Sequence, residues 1–504
     1  MNLAYLMIPI YHPIMIVLVA LGTFVGIYVG AIPGLSGTMA VSLLVSLTFG
    51  WETNKAIALM IGVFIGAVYG GSRSAILLNI PGAPAAVATG FDGYPLAKKG
   101  LAGKAMGVAT TQSFIGTIFG ILVLMFGAPF VSSFAMHFSS VDYMLLAFMG
   151  MMMVGSLGCK SLTRGIVAAS LGVFLGTVGM DPLTAINRFT FGNTYLNAGV
   201  NYIVALIGLF GAAEAISQMT EMHIAPIKQK VDKIIPSFDE AVKYIPLTIR
   251  SAIVGVLVGA LPGAGGDIAA LLTYDQAKRT VKNPAVPFGQ GAIEGIVAPE
   301  TANNAAIGGA FIPMLTLGIP GDAVTAVLIG ALTIHGLRPG PNLMTDSPEM
   351  FNVIVSCLWF GALFLLIFGL TGIKLFTKVV EIPKPVLMPI ILVLSIIGAY
   401  AINNSLYDIF WTLGFGVLGY FMKRFDYPIG PMVLGIILCR LLETNFLRGI
   451  MLHGSILGLF FSIFTSPISI GLFALMVFLF ATNTAMYKNW KKRRGDRKMA
   501  AKAA

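Results

Sequence analysis

Two glycine–proline breaks, Gly30-Ala-Ile-Pro-Gly-Leu-Ser-Gly37 and Gly259-Ala-Leu-Pro-Gly-Ala-Gly-Gly266, interrupt apolar runs and restrict what the chain can fold into. Proline removes a backbone donor, and glycine opens conformations closed to other residues, so a helix entering either break stops there. In lipid a broken helix is tolerated only where its freed N–H and C=O groups line a protein-walled cavity. Matched breaks in two halves of an apolar chain are a sequence pointer to a carrier's substrate site. The alternative is that they are kinks serving only helix packing.

Of the 504 residues, 57% are hydrophobic and 11% charged, against roughly 25% charged in soluble domains. Many apolar stretches approach the roughly 20 residues that cross a bilayer. The expected fold is an all-α polytopic membrane protein with about 10–12 transmembrane helices. Met1–Pro13 has no charged leader or small-residue cleavage site, so no removable signal is expected. Cys159, Cys357 and Cys439 are far apart and show no ligand spacing. The net charge of +11 sits in short loops and the tail, where it reads as a topology signal and not as a nucleic-acid surface.

Helices are expected from about Ile14 to Gly30, around Ala56–Tyr69, and near 106–127, 142–157, 165–179 and 199–217. Met39–Phe49 is too short to span and fits a re-entrant segment. Pro299 is expected in the first turn of a new helix. The polar linker 220–243 separates a first half (1–219) from a second (244–487), and a basic tail (488–504) follows.

The second half repeats the plan of the first. Pro33 matches Pro262, 229 residues later, and Asn79-Ile-Pro-Gly82 matches Gly318-Ile-Pro-Gly321, 239 residues later. The polar insertion around Lys278–Gln290 accounts for the difference. Each second break precedes a Gly/Pro-rich stretch, Gly90–Pro95 or Gly336–Pro341. Lys and Arg place 98–104, 160–164, 228–243, 374–384, 423–424 and the C-terminus on the cytoplasmic side. The matching ends of the two copies differ in charge, the pattern of inverted repeats. Between Lys423 and Lys488 three apolar segments are visible, and parity suggests that the first, 428–440, does not span.

Ionisable groups inside apolar stretches are functional candidates, because each costs at least about 2.5 kcal/mol at a helix centre. Glu300, Asn303 and Asn304 fall at i, i+3 and i+4 on one helical face. A carboxylate beside two amide oxygens can coordinate a hard cation; the same groups can also cap the helix. Gly34, Ser36, Gly37 and Thr38 in the first break can donate to an anion at a helix N-terminus, as can Gly263, Gly265 and Gly266 in the second. Asp267 suits a cation or a cap. Asn79 and Asp322 flank the second breaks and can serve either the anion or the cation; Asn79, with Gly82 and Gly321, joins the candidate substrate contacts, and Asp322 the candidate cation ligands. Arg73 can fork onto a carboxylate or snorkel to the interface. No Walker sequence, His-Glu-x-x-His or nucleophile elbow is present, so ATP drive and hydrolysis have no visible machinery.

The paired Pro-Gly breaks, with Ala298-Pro-Glu-Thr-Ala-Asn-Asn304, Gly318-Ile-Pro-Gly-Asp322 and Gly336-Leu-Arg-Pro-Gly-Pro341, resemble the large membrane subunit of tripartite tricarboxylate transporters. The resemblance extends over nearly the whole hydropathy pattern. It implies a multi-pass protein of the bacterial inner membrane working with a small four-helix membrane subunit and a periplasmic solute-binding protein. It implies uptake of a carboxylate such as citrate, with Na+ or H+ as coupling ion and no other cofactor. A stand-alone carboxylate carrier is the alternative.

Overall fold

A computed structural model describes residues 8–32, 35–157, 162–181, 183–220, 243–372 and 384–483. Pro33 and Gly34 of the first break, linker residues 221–242 and the tail 488–504 lie outside the described residues. In chain order the first helices are α1 (Pro13–Ala31), α2 (Gly37–Leu47), α3 (Thr53–Leu78), α4 (Ala86–Leu96) and α5 (Ala102–Ala135). Next come α6 (Ser140–Leu157), α7 (Leu162–Gly176) and α8 (Tyr202–Thr220). The second half contains α9 (Ile245–Gly259), α10 (Gly265–Thr280), α11 (Glu294–Leu317), α12 (Ala323–Ile334) and α13 (Pro348–Thr371). It ends with α14 (Lys384–Asn403), α15 (Leu406–Arg424), α16 (Ile429–His453), α17 (Ile456–Ser462) and α18 (Pro467–Asn483).

This is an all-α polytopic membrane protein. Among the described residues six helices, counting α4–α5 as one, are long and apolar enough to cross a membrane. The bent pair α17–α18, turned by 94°, makes seven if counted as one span. Several further apolar helices, such as α2, α9 and α12, are 10–17 residues long. The segment expected not to span, 428–440, instead begins the 25-residue α16. Pro299 is not in a first turn: α11 starts at Glu294, and the proline gives up one rung of the ladder, to Gly295. The Gly90–Pro95 stretch is also helical, because Pro95 falls near the end of α4, where the ladder relaxes through Gly100 (φ +84°) into α5.

Met1–Met136 and Asn201–Phe421 form one compact unit. Its spine is α11, buried at every residue from Glu294 to Thr316, as befits a helix surrounded by protein on all sides. α11 packs between α5 and α9, and α3 packs on α1. Small residues make these approaches possible: a Cβ on Gly26 would strike the Val63 carbonyl, and one on Gly255 the Ala302 carbonyl.

The contact between Gly26 and Val63 recurs at Gly255 and Ala302. Gly30 on Ala67 recurs as Gly259 on Ala306, and Gly70 on Ile27 as Gly309 on Val256. Gly82 abuts the Gly30 carbonyl and Gly71; Gly321 abuts the Gly259 carbonyl and Ala310. All these pairs keep the 229- and 239-residue offsets of the two sets of breaks. α3 and α11 also end alike, on left-handed Asn79 (φ +57°) and Gly318 (φ +69°).

His137–Val200 and Met422–Ala504 form the other unit. Here Gly172 abuts the Met432 carbonyl and Gly435 that of Ala169, drawing α7 against α16. Asp142 accepts the Ser469 hydroxyl (2.5 Å), joining α6 to α18. A two-stranded hairpin pairs Gly179–Met180 with Asn187–Arg188. Arg188 bonds Glu443 and lies 3.5 Å from Asp181.

Candidate functional site

Four helices converge on Glu300. Its Oε1 accepts the hydroxyls of Ser72 on α3 and Thr89 on α4, and its Oε2 accepts that of Ser113 on α5 at 2.7 Å. Glu300 is 1% exposed, and no Lys or Arg among the described residues forms an ion pair with it. A buried carboxylate without a counter-charge depends on its hydrogen bonds. One turn on, Asn304 is wholly buried; its amide donates to the Glu300 carbonyl (3.0 Å), while its Oδ1 has no partner.

A second gathering surrounds the start of α10. Gly263 and Gly265 both have positive φ (+72° and +60°), so the chain can turn from α9 into α10 within five residues. The turn brings Gly266 against Asn303 Oδ1 and Gly265 against Asp322, where an added Cβ would lie 3.1 Å from the Asp322 Cβ. Asp267 follows and accepts the Ala85 N–H at 3.0 Å, reaching the end of the first copy's second break. Asn303 donates a long bond (3.4 Å) to the Val68 carbonyl.

Other candidates take local roles in this conformation. Ser36 caps α2, accepting Met39 N–H at 3.1 Å, with Gly37 and the buried Thr38 behind it. Asp322 caps α12 in a reciprocal box with Thr325. Arg73 does not snorkel: it is 1% exposed and donates to the Phe368 (3.0 Å) and Gly369 (2.8 Å) carbonyls near the end of α13. Gly82 and Gly321 serve the close approaches described above, and Gly34 lies outside the described residues. Glu300, Asn303 and Asn304 share α11 but do not converge on one point. Glu300 turns to hydroxyls, Asn303 to the α10 turn, and Asn304 back to its own helix.

A family model for the tripartite tricarboxylate transporter matches residues 16–434. The chain belongs to the TctA family. A relative of similar length is the "Uncharacterized 52.8 kDa protein in TAR-I ttuC' 3'region" of Agrobacterium vitis, 35% identical over 92% of both chains. A second, the "Uncharacterized protein in TAR-II ttuC' 3'region" of the same organism, is 40% identical over 44% of this chain and 90% of its own. No solved structure matches. As the resemblance implied, this is a large membrane subunit of a transporter.

Residues that sequence reasoning passed over complete the picture of this TctA-family chain. Thr89 and Ser113 carry no motif, since hydroxyls are common in membrane helices. Asp92 offered a signal, a carboxylate within an apolar region, that was obscured by its glycine and proline neighbours. It is fully buried and accepts the N–H groups of Gly289, Gly291 and Ala292 (2.8–2.9 Å) and the Tyr274 hydroxyl (2.9 Å). Three backbone donors from the segment between α10 and α11, and a fourth from α10 itself, bind both to α4.

Proposed function

We infer that this TctA-family subunit is a secondary active transporter that takes up a citrate-like carboxylate together with Na+ or H+. The observation that carries the reading is Glu300: a buried carboxylate, without a basic ion-pair partner among the described residues, held by hydroxyls from three other helices. Such a group is expensive in a membrane protein and is a site for a mobile cation. Asp267, Asp322 and Asn303 gather a second set of oxygens suited to a hard cation. Gly34, Ser36, Gly37, Thr38, Asn79, Gly263 and Arg73 are the candidate contacts for the carboxylate.

Charge supplies the reason for pairing the two. Moving one negative charge inward against a negative-inside potential costs about 2.3 kcal/mol per 100 mV, and a tricarboxylate carries close to three. Bound cations offset that cost. The recurring contacts of α1–α3 and α9–α11 support two structural repeats, and the loop charges support an inverted arrangement of them. In this reading the protein sits in the bacterial inner membrane with its C-terminus cytoplasmic. It receives substrate from a periplasmic binding protein and works with a small four-helix subunit.

The test is labelled citrate uptake into proteoliposomes under a Na+ or H+ gradient, with and without the two partners. Gradient-dependent uptake that needs all three components and falls by about tenfold or more in Glu300→Gln supports the reading. Uptake by this chain alone would favour a stand-alone carrier, and flux independent of any cation gradient would overturn coupling.

A further inference from the structure

A cavity of about 320 Å³ opens away from both sets of candidate ligands, between the start of α9 and the segment that follows α10. Lys243, Arg250 and Lys282 line it, together with one carboxylate, Glu294. The charges leave it net positive by two. Arg250 Nε is shielded from solvent and has no hydrogen-bond partner. A buried guanidinium N–H without an acceptor is costly, so Arg250 gains from a rotation that carries its fork onto an oxyanion in the cavity. The remaining wall includes Pro246, Leu247 and Val281, so charged and apolar surfaces meet within one recess.

We propose that this cavity binds a phosphate-bearing anion, with Arg250 as its principal contact. The guanidinium fork fits two phosphate oxygens, and the two ammonium groups add charge without demanding a fixed geometry. Glu294 limits the site to one anionic group by repelling a second. The apolar wall beside the cations suits an anionic phospholipid, whose head group would meet Arg250 and whose glycerol and first methylenes would lie on Leu247 and Val281. Lys243 ends the basic segment that loop charge assigns to the cytoplasmic side, where anionic lipids and basic pockets meet. Free phosphate offers the same chemistry without the tail.

The test is native mass spectrometry of the full chain in detergent, titrated with phosphatidylglycerol, phosphatidylcholine or inorganic phosphate. Wild-type protein should prefer phosphatidylglycerol to phosphatidylcholine, and Arg250→Gln should weaken that binding by about tenfold. Glu294→Gln should tighten it, an opposite change that general damage to the fold would not produce. Arg279→Gln, which removes an exposed cation paired with Asp275, should change nothing. Inorganic phosphate that binds with the same dependence on Arg250 and Glu294, with no lipid preference, would assign the site to the free anion. Equal binding by wild type and Arg250→Gln, or no effect of Glu294→Gln, would overturn the proposal.

Discussion

Ser113 Oγ donates to Glu300 Oε2 across 2.7 Å, joining α5 to α11 where both side chains are buried. With Ser72 and Thr89 on the other oxygen, the carboxylate is held from three directions by groups that carry no charge. Hydroxyls can donate to a carboxylate or turn and offer lone pairs to a cation. An Arg or Lys in their place would have fixed the charge state of the site.

Ser113→Ala removes one of these donors and leaves a buried carboxylate oxygen short of a partner. The expected loss of stability is about 1–3 kcal/mol, read as a lower midpoint of thermal unfolding in detergent. If the hydroxyls also serve a bound cation, Na+ should stabilise the variant less than the wild type. An unchanged midpoint and an unchanged response to Na+ would remove this cage from the mechanism.

Gly82→Ala and Gly321→Ala each push a methyl group into backbone, the Gly30 carbonyl in one copy and the Gly259 carbonyl in the other. Overpacking of this kind costs about 1–3 kcal/mol. The two variants should lose similar stability, because the contacts are equivalent. A large loss in one and none in the other would argue against equivalent frameworks.

Asp92→Asn should release the segment 289–292, because a neutral amide oxygen replaces a carboxylate that receives three backbone N–H groups. Amide hydrogen exchange should quicken there by tenfold or more, for a loss of about 1.5–3 kcal/mol. Tyr274→Phe removes a single donor and should have the smaller effect.

Asp181 lies in the loop that carries the strand pair. The backbone N–H groups of Thr184 and Leu183 hold its carboxyl below the usual carboxylate range. A depressed pKa means that the folded loop favours the ionised form. Its stabilisation is therefore complete above the unfolded value, about 3.9, and fades as pH falls through the lower folded one. Amide exchange in this loop, corrected for the intrinsic rate, should stay slow from pH 7 down to about 4 and quicken only as pH falls below that. Asp181→Asn should exchange faster above about pH 4 and show no further quickening below it.

The breaks and the membrane class were legible because each depends on local rules. Pro33 and Pro262 must interrupt helices, and a chain this apolar must cross a bilayer. Asn79 and Gly318 were visible as a matched pair, and both end a helix in the left-handed region. Boundaries were less legible where tertiary packing overrides local preference. Pro299 sits inside α11 because surrounding helices bury that helix throughout, and Arg440 and Glu443 did not stop α16 from running to His453. The partners of Glu300 could not be read at all. Ser72, Thr89 and Ser113 are ordinary residues until the fold brings three helices to one carboxylate.

The recurring contacts make Glu300 the counterpart of Ile61, Asp267 that of Thr38, and Asp322 that of Ala83, by the same residue offsets. Each of these three acids therefore corresponds to a neutral residue in the first copy, while the first copy supplies Ser72, Thr89 and Ser113 to Glu300. The scaffold is shared but the labour is divided. A protein assembled from two copies of the first half would keep the helix crossings and lose all three acids; one assembled from two copies of the second would double the acids and lose the hydroxyls that hold Glu300.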